Sequence, residues 1–145
     1  ELLIKTLPSI EQGTVTPEKQ PQESPTPYAA MITKQMGLIN FGKSAEELER
    51  LVRGLNPWPS AFTFWNGKTL KVWESFVVKS EEAGTEKPEP GTVVKTDKKG
   101  IYVACGEDVL VLSQVQLEGK KRMDADAFLR GCHIETGSRF TDKKE

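Results

Sequence analysis

The sequence predicts a small, mainly β domain with two short helices, preceded by a linker and by the end of a helix from another domain. Three observations carry this. Between residues 61 and 117, short runs rich in Val, Ile, Leu, Phe and Trp recur at close spacing, separated by turn residues, as in a small closed or nearly closed barrel. Apolar residues at helical spacing are confined to short stretches. Residues 14–27 carry Pro17, Pro21, Pro25 and Pro27 among Gln, Glu, Thr and Ser, which favours an extended, semi-rigid spacer.

Composition bounds the partners. The 145 residues suit one domain plus appendages, and the 37% apolar share is low because the first part of the chain is polar. A net charge of −1 excludes a global basic field, so any nucleic-acid role rests on local patches. Cys105, Cys132 and the single His133 form no metal-ligand spacing, and both cysteines read as reduced thiols of a cytoplasmic protein. No run approaches a membrane span and no signal peptide is visible, so no membrane and no metal are expected.

The elements follow in order. Leu3, Leu7 and Ile10 share one face of a helix over residues 1–12, with Gly13 as its stop and Pro8 expected to bend or restart it. So short an amphipathic end cannot bury its face alone. The chain also opens at Glu1 in mid-pattern, so it reads as a piece of something longer with an upstream partner domain. Residues 14–36 are the linker, with 28–36 leading out of it as an ordered strap.

Residues 37–140 are the predicted domain. Ser44-Ala45-Glu46-Glu47 is a capping box, in which the hydroxyl and carboxylate each serve the other residue's N–H. Leu48, Leu51, Val52 and Leu55 then share a buried face, with Arg50 and Arg53 opposite. Pro57 and Pro59 end the helix, and the Asn56-Pro57-Trp58-Pro59 corner is expected to pack Trp58 on the barrel end.

Residues 61–78 form a hairpin around Asn66-Gly67, a two-residue type I′ turn, with Leu70 and Val72 inward and Lys71 and Trp73 outward. A loop spans 80–90. Strands are expected at 92–95, 101–104, 109–112 and 114–117, with turns at Lys98-Lys99-Gly100 and Gly106-Glu107-Asp108. Asp124 is expected to cap a helix carrying Ala127, Phe128 and Leu129, stopped by Gly131. Residues 134–140 are expected to close the sheet, leaving 141–145 as a disordered tail.

Four segments, in this order, resemble the C-terminal half of the methionyl-tRNA formyltransferases. They are residues 46–53 running into Asn56-Pro57-Trp58-Pro59-Ser60-Ala61-Phe62; residues 67–73; Pro90-Gly91-Thr92-Val93 followed by 100–106; and Leu117-Glu118-Gly119-Lys120-Lys121-Arg122-Met123 with Ala127-Phe128-Leu129-Arg130-Gly131. Leu7-Pro8-Ser9-Ile10 and Gly13-Thr14 resemble the end of that family's catalytic domain, so residues 1–13 are assigned to it.

The resemblance implies an OB-like C-terminal barrel that helps hold initiator methionyl-tRNA. It also implies an upstream Rossmann-like domain that transfers a formyl group from 10-formyltetrahydrofolate to the methionyl amino group. That domain's catalytic Asn, His and Asp map to nothing here, so no catalytic residue and no bound cofactor are expected in this chain. UDP-amino-sugar formyltransferases and other folate-dependent formyltransferases carry a similar C-terminal barrel and are the alternative; their segments look less like Asn-Pro-Trp-Pro and Gly-Lys-Lys-Arg-Met.

Candidate RNA contacts are the cations of the outward helix face, hairpin and turns: Arg50, Arg53, Lys68, Lys71, Lys98, Lys99, Lys120, Lys121, Arg122 and Arg139. They act together only if the fold brings the hairpin, the 119–123 loop and Arg139 onto one surface. A stacking role for Trp73 on a tRNA base is the lesser of its readings. Cys132-His133 is not a nucleophile–base pair, because neighbours in extended chain point to opposite faces.

Overall fold

The computed structural model describes residues 1–23, 26, 29–80 and 88–143, in two compact units, Glu1–Met31 and Ile32–Glu145. The first unit contains α1 (Leu2–Glu11). Pro8 does not restart it: the helix runs through, and the Gln12 N–H donates to the Pro8 carbonyl at 3.0 Å. Proline lacks only its own N–H, and so short a helix loses a single bond there. Gly13, at φ 64°, turns the chain out as expected. Leu2, Leu3, Ile4, Leu7 and Ile10 are 52–79% exposed.

The second unit is mainly β. After a 3-10 turn at Lys34–Gly37 come α2 (Ala45–Gly54), β1 (Ala61–Trp65), β2 (Lys68–Val78), β3 (Val93–Asp97), β4 (Gly100–Ala104), β5 (Val109–Leu117), β6 (Met123–Asp124) and α3 (Ala125–Gly131). Ile32 and Met36 remain exposed, so the expected strap is not packed there. Residues 81–87 of the expected loop and 144–145 of the expected tail lie outside the described residues.

The strands form one antiparallel sheet in the order β1-β2-β5-β4-β3, with β6 pairing β5 beyond the start of β4. The edges β1 and β3 are then bridged. Residues 134–140 form no regular strand, yet Thr92 pairs with Arg139 and Phe64 with Thr141, and the Phe140 N–H donates to the Gly91 carbonyl at 2.9 Å. Thr141, expected in the tail, is therefore part of the closure. Phe140 is buried and stacks on Phe41 at 6.2 Å.

One expectation of two strands, 109–112 and 114–117, resolves into the single strand β5. Val72 pairs with Val115, Glu74 with Gln114 and Ser75 with Leu112, so the register slips at Trp73 on β2 and at Ser113 on β5. The slip re-phases the pleat. Leu70, Val72 and then Val77 face the core on β2; Leu110, Leu112 and then Val115, Leu117 face it on β5. A flat alternation would have turned half of these outward.

The capping box forms as predicted: the Glu47 N–H donates to Ser44 Oγ at 3.3 Å and the Ser44 N–H to Glu47 Oε2 at 3.4 Å. It starts α2 in the register that buries Leu48 and Val52 against Leu70, Val72 and Leu112. Each such side chain contributes roughly 1.5–3 kcal/mol of apolar transfer.

Two local expectations fail. Asp124 occupies the N-cap position of α3 but caps nothing with its side chain; its Oδ1 accepts from Gln114 Nε2 at 3.0 Å across the β5–β6 pair. Trp58 is 59% exposed rather than packed, in a corner that the Ser60 N–H closes by donating to the Leu55 carbonyl at 2.9 Å.

Candidate nucleic-acid interface

Antiparallel pairing decides which turns share an end of the sheet. In the hairpin, Asn66 and Gly67 take φ 48° and 68°, the positive values a type I′ turn requires, and Trp65 pairs with Lys68. Leu70 lies opposite Leu117, so the chain leaving β5 turns beside the hairpin tip. The Glu118 N–H donates to the Thr69 carbonyl at 2.8 Å and the Thr69 N–H to Glu118 Oε2 at 2.9 Å. The start of β4 points to the same end, since Ile101 pairs with Leu112, and it carries the Lys98-Lys99 turn, where Asp97 accepts the Lys99 N–H at 2.8 Å.

Lys68, Lys120 and Lys121 therefore project from one end of the sheet, while Lys98 and Lys99 point the same way from a turn set back along β5, opposite Leu112 rather than Leu117; all five are exposed. Among the described residues, none of them has a carboxylate within ion-pair distance. The opposite end is different in sign: the β4–β5 turn holds Glu107 and Asp108, and Asp108 is bound by Lys79 at 2.7 Å. That lysine's hydrogen bond holds the Asp108 carboxyl below its ordinary range.

The four candidate arginines are all paired: Arg50 with Glu46 (3.7 Å), Arg53 with Glu49 (3.1 Å), Arg122 with Glu74 (3.1 Å) and Arg139 with Glu89 (2.6 Å). Exposed pairs of this kind contribute about 0–1 kcal/mol, so a phosphate could replace the carboxylate at small cost.

Trp73 lies at the register slip, half-buried on the outer face. Its Nε1–H donates to Gln116 Oε1 at 3.1 Å. The Arg122 guanidinium sits 4.9 Å from the ring centre and the Lys71 ammonium 5.7 Å. Arg122 also donates to Gln114. Arg53 shares a cleft with Trp73 and Glu74.

The structure thus brings together Lys68, Lys120 and Lys121, with Lys71 further along β2 and Arg122 in the loop before β6, and sets Lys98 and Lys99 back on the neighbouring turn. It does not add Arg139, which pairs with Thr92 at the far end of β3, nor Arg50, which lines a separate hollow with Met36 and Lys43. Asn56, Glu74 and Gln116, which hold Trp73 and Arg122 in place, were not among the sequence candidates. The alternation of Gln114 and Gln116 with Val115 and Leu117 marks both glutamines as outward, but not what they hold.

Cys105 is buried, and burial pushes its thiol up to about 12. His133 Nε2 lies 3.7 Å from Glu135, and Cys132 is a free thiol. Among the described residues, no three His, Cys, Asp or Glu side chains are grouped to hold a metal, and no helix is long and apolar enough to cross a membrane.

Comparison with known proteins gives one family and one fold. The family profile described as "Formyl transferase, C-terminal domain" matches residues 31–133. A methionyl-tRNA formyltransferase of Lachnospira eligens is 53% identical over 94% of this chain, and one of Bacillus subtilis is 44% identical over 94%. The chain spans only 43% and 42% of those proteins. The crystal structure of HypX from Aquifex aeolicus in complex with tetrahydrofolic acid superposes with a TM-score of 0.55 over 96% of this chain and 26% of that one. At 14% identity this likeness speaks for the fold alone.

Proposed function

The chain belongs to the formyl transferase C-terminal domain family, and from that premise we propose that it is the tRNA-holding C-terminal part of a methionyl-tRNA formyltransferase. The observation that carries this is 53% identity to such an enzyme over 94% of the chain. The parent enzyme acts in translation initiation in the cytoplasm. Its N-terminal catalytic domain takes the formyl group from 10-formyltetrahydrofolate and places it on the methionyl amino group of initiator tRNA. In this reading residues 1–13 end that domain, whose surface covers the apolar face of α1, and residues 14–36 are the linker. The UDP-amino-sugar alternative is not favoured, because the similar curated proteins quoted above are tRNA enzymes.

The role of this part is grip. Lys68, Lys120 and Lys121 at the hairpin end of the sheet, with Lys98 and Lys99 set back on the neighbouring turn, have no ion-pair partner among the described residues and meet the phosphate backbone, and the exposed arginine pairs exchange glutamate for phosphate where the RNA reaches them. Backbone contacts carry no base sequence, so choice of the initiator acceptor end falls to the catalytic domain.

The test is binding of initiator and elongator methionyl-tRNA to this chain over a salt series. Both should bind, with equal affinity and a negative slope of log K against log salt. Failure to bind either tRNA at low salt would overturn the reading. The purified chain should also transfer no formyl group, since the family's catalytic Asn, His and Asp map to nothing in it; measurable formylation would overturn that part.

A further inference from the structure

Where β2 slips its register, a cleft of about 350 Å³ opens between the C-terminal half of α2 and the strand. Arg53, Asn56, Trp73 and Ser75 line it, with the carboxylates of Glu49 and Glu74 held by Arg53 and Arg122. Asn56 Nδ2 donates to the Trp73 carbonyl at 3.1 Å, which ties the end of α2 to the strand at this point. The Ser75 hydroxyl oxygen is buried and has no hydrogen-bond partner among the described residues. A buried hydroxyl without a partner is destabilising, and most buried polar side chains have one.

We propose that this cleft takes one unstacked base of the bound RNA, stacked on the Trp73 indole with a polar edge on Ser75. The inference rests on the reading of this domain as a tRNA-holding part and names a site within it. The chemistry at the cleft fits a nucleotide better than a purely apolar group. An aromatic wall accepts the face of any base, and Arg53 at the rim accepts a neighbouring phosphate in exchange for Glu49. Arg53 is at the cleft itself, and Arg122 lies 4.9 Å from the same indole. The volume falls within the range of small-molecule clefts and exceeds what one base needs. The lysine end lies along the same strand: Lys68 and Trp73 are both on β2, roughly 17 Å apart. RNA laid across those lysines therefore has its backbone in position to extrude a base here.

A stacked base and a phosphate contact leave different signatures. Losing a phosphate contact lowers the salt slope by about one, whereas losing a stacking contact weakens binding at an unchanged slope. The experiment is anisotropy with labelled initiator tRNA across a salt series, for the wild-type chain, Trp73→Ala and Ser75→Ala. Trp73→Ala should weaken binding about tenfold at the wild-type slope. Ser75→Ala should weaken it about threefold at that slope. In parallel, tRNA should quench tryptophan fluorescence of the wild type, and Trp73→Phe, which keeps the ring in place, should abolish most of that quench. Wild-type affinity in Trp73→Ala, a reduced slope in that variant, or undiminished quenching in Trp73→Phe would each overturn the proposal. If Trp73→Ala does not fold, the Trp73→Phe quench decides. A wild-type chain that binds no tRNA would overturn the reading beneath it as well; binding by the wild type with no effect at Trp73 would overturn this proposal alone.

Discussion

Thr69 and Glu118 hold each other twice, through the Glu118 N–H to the Thr69 carbonyl at 2.8 Å and the Thr69 N–H to the Glu118 carboxylate at 2.9 Å. That pair of bonds joins the hairpin that carries Lys68 to the loop that carries Lys120 and Lys121. Three cations far apart in sequence thereby share a surface whose shape does not depend on the lysines themselves.

Replacing Lys120 and Lys121 together with alanine should therefore leave the melting temperature unchanged and weaken tRNA binding without regard to base sequence. If both lysines meet phosphates, the salt slope should fall by about two, at roughly 0.9 per phosphate or somewhat less. A double variant with wild-type affinity and slope would mark the loop as a solvated turn.

Ser44→Ala should destabilise the domain by about 1 kcal/mol, the usual cost of an N-cap. Its hydroxyl accepts the Glu47 N–H, and α2 depends on that start to bury Leu48 and Val52. Chemical denaturation of the variant reads this directly; an unchanged midpoint would show that the box contributes nothing.

Gly106→Ala should cost more, about 1–3 kcal/mol, as overpacking does. A Cβ at Gly106 would lie 2.2 Å from the Gly42 carbonyl oxygen, and the backbone cannot retreat because the Gly106 N–H donates to the Phe41 and Lys43 carbonyls at 2.9 Å. Gly54→Ala, where a Cβ meets nothing within 4 Å, is the control and should not destabilise.

Acid should weaken the fold through specific carboxylates. The Lys79 hydrogen bond lowers the Asp108 carboxyl, and the Ser44 N–H lowers that of Glu47. A carboxyl lowered in the folded state stabilises above its unfolded value, near 3.9 for Asp and 4.3 for Glu, and that stability is lost as pH falls through the folded value. The melting temperature should therefore fall as pH drops below about 4.5. Asp108→Asn should flatten part of that fall, and an identical profile in the variant would show that the Lys79 pair carries none of it.

The sequence by itself determined what depends on near neighbours. The capping box, the Asn66-Gly67 turn, the inward Leu70 and Val72, and the proline stop after α2 were all legible, because each is fixed by residues within a few positions of one another. Family membership was legible for the same reason: several collinear segments each keep their local pattern. The tertiary structure decided everything that depends on pairing between distant strands. The slip at Trp73 and Ser113 merged two expected strands into β5, and Thr141 was recruited from the tail to bridge an edge. Asp124 was drawn from its cap to Gln114, and Trp58 was left exposed. The candidate site divides along the same line. Its lysines could be named one by one, but register alone puts Lys68 beside Lys120 and Lys121 and sends Arg139 to the far end of β3. Register is a property of two strands at once. A one-residue slip reverses every side chain's face, and no single stretch of sequence contains that information.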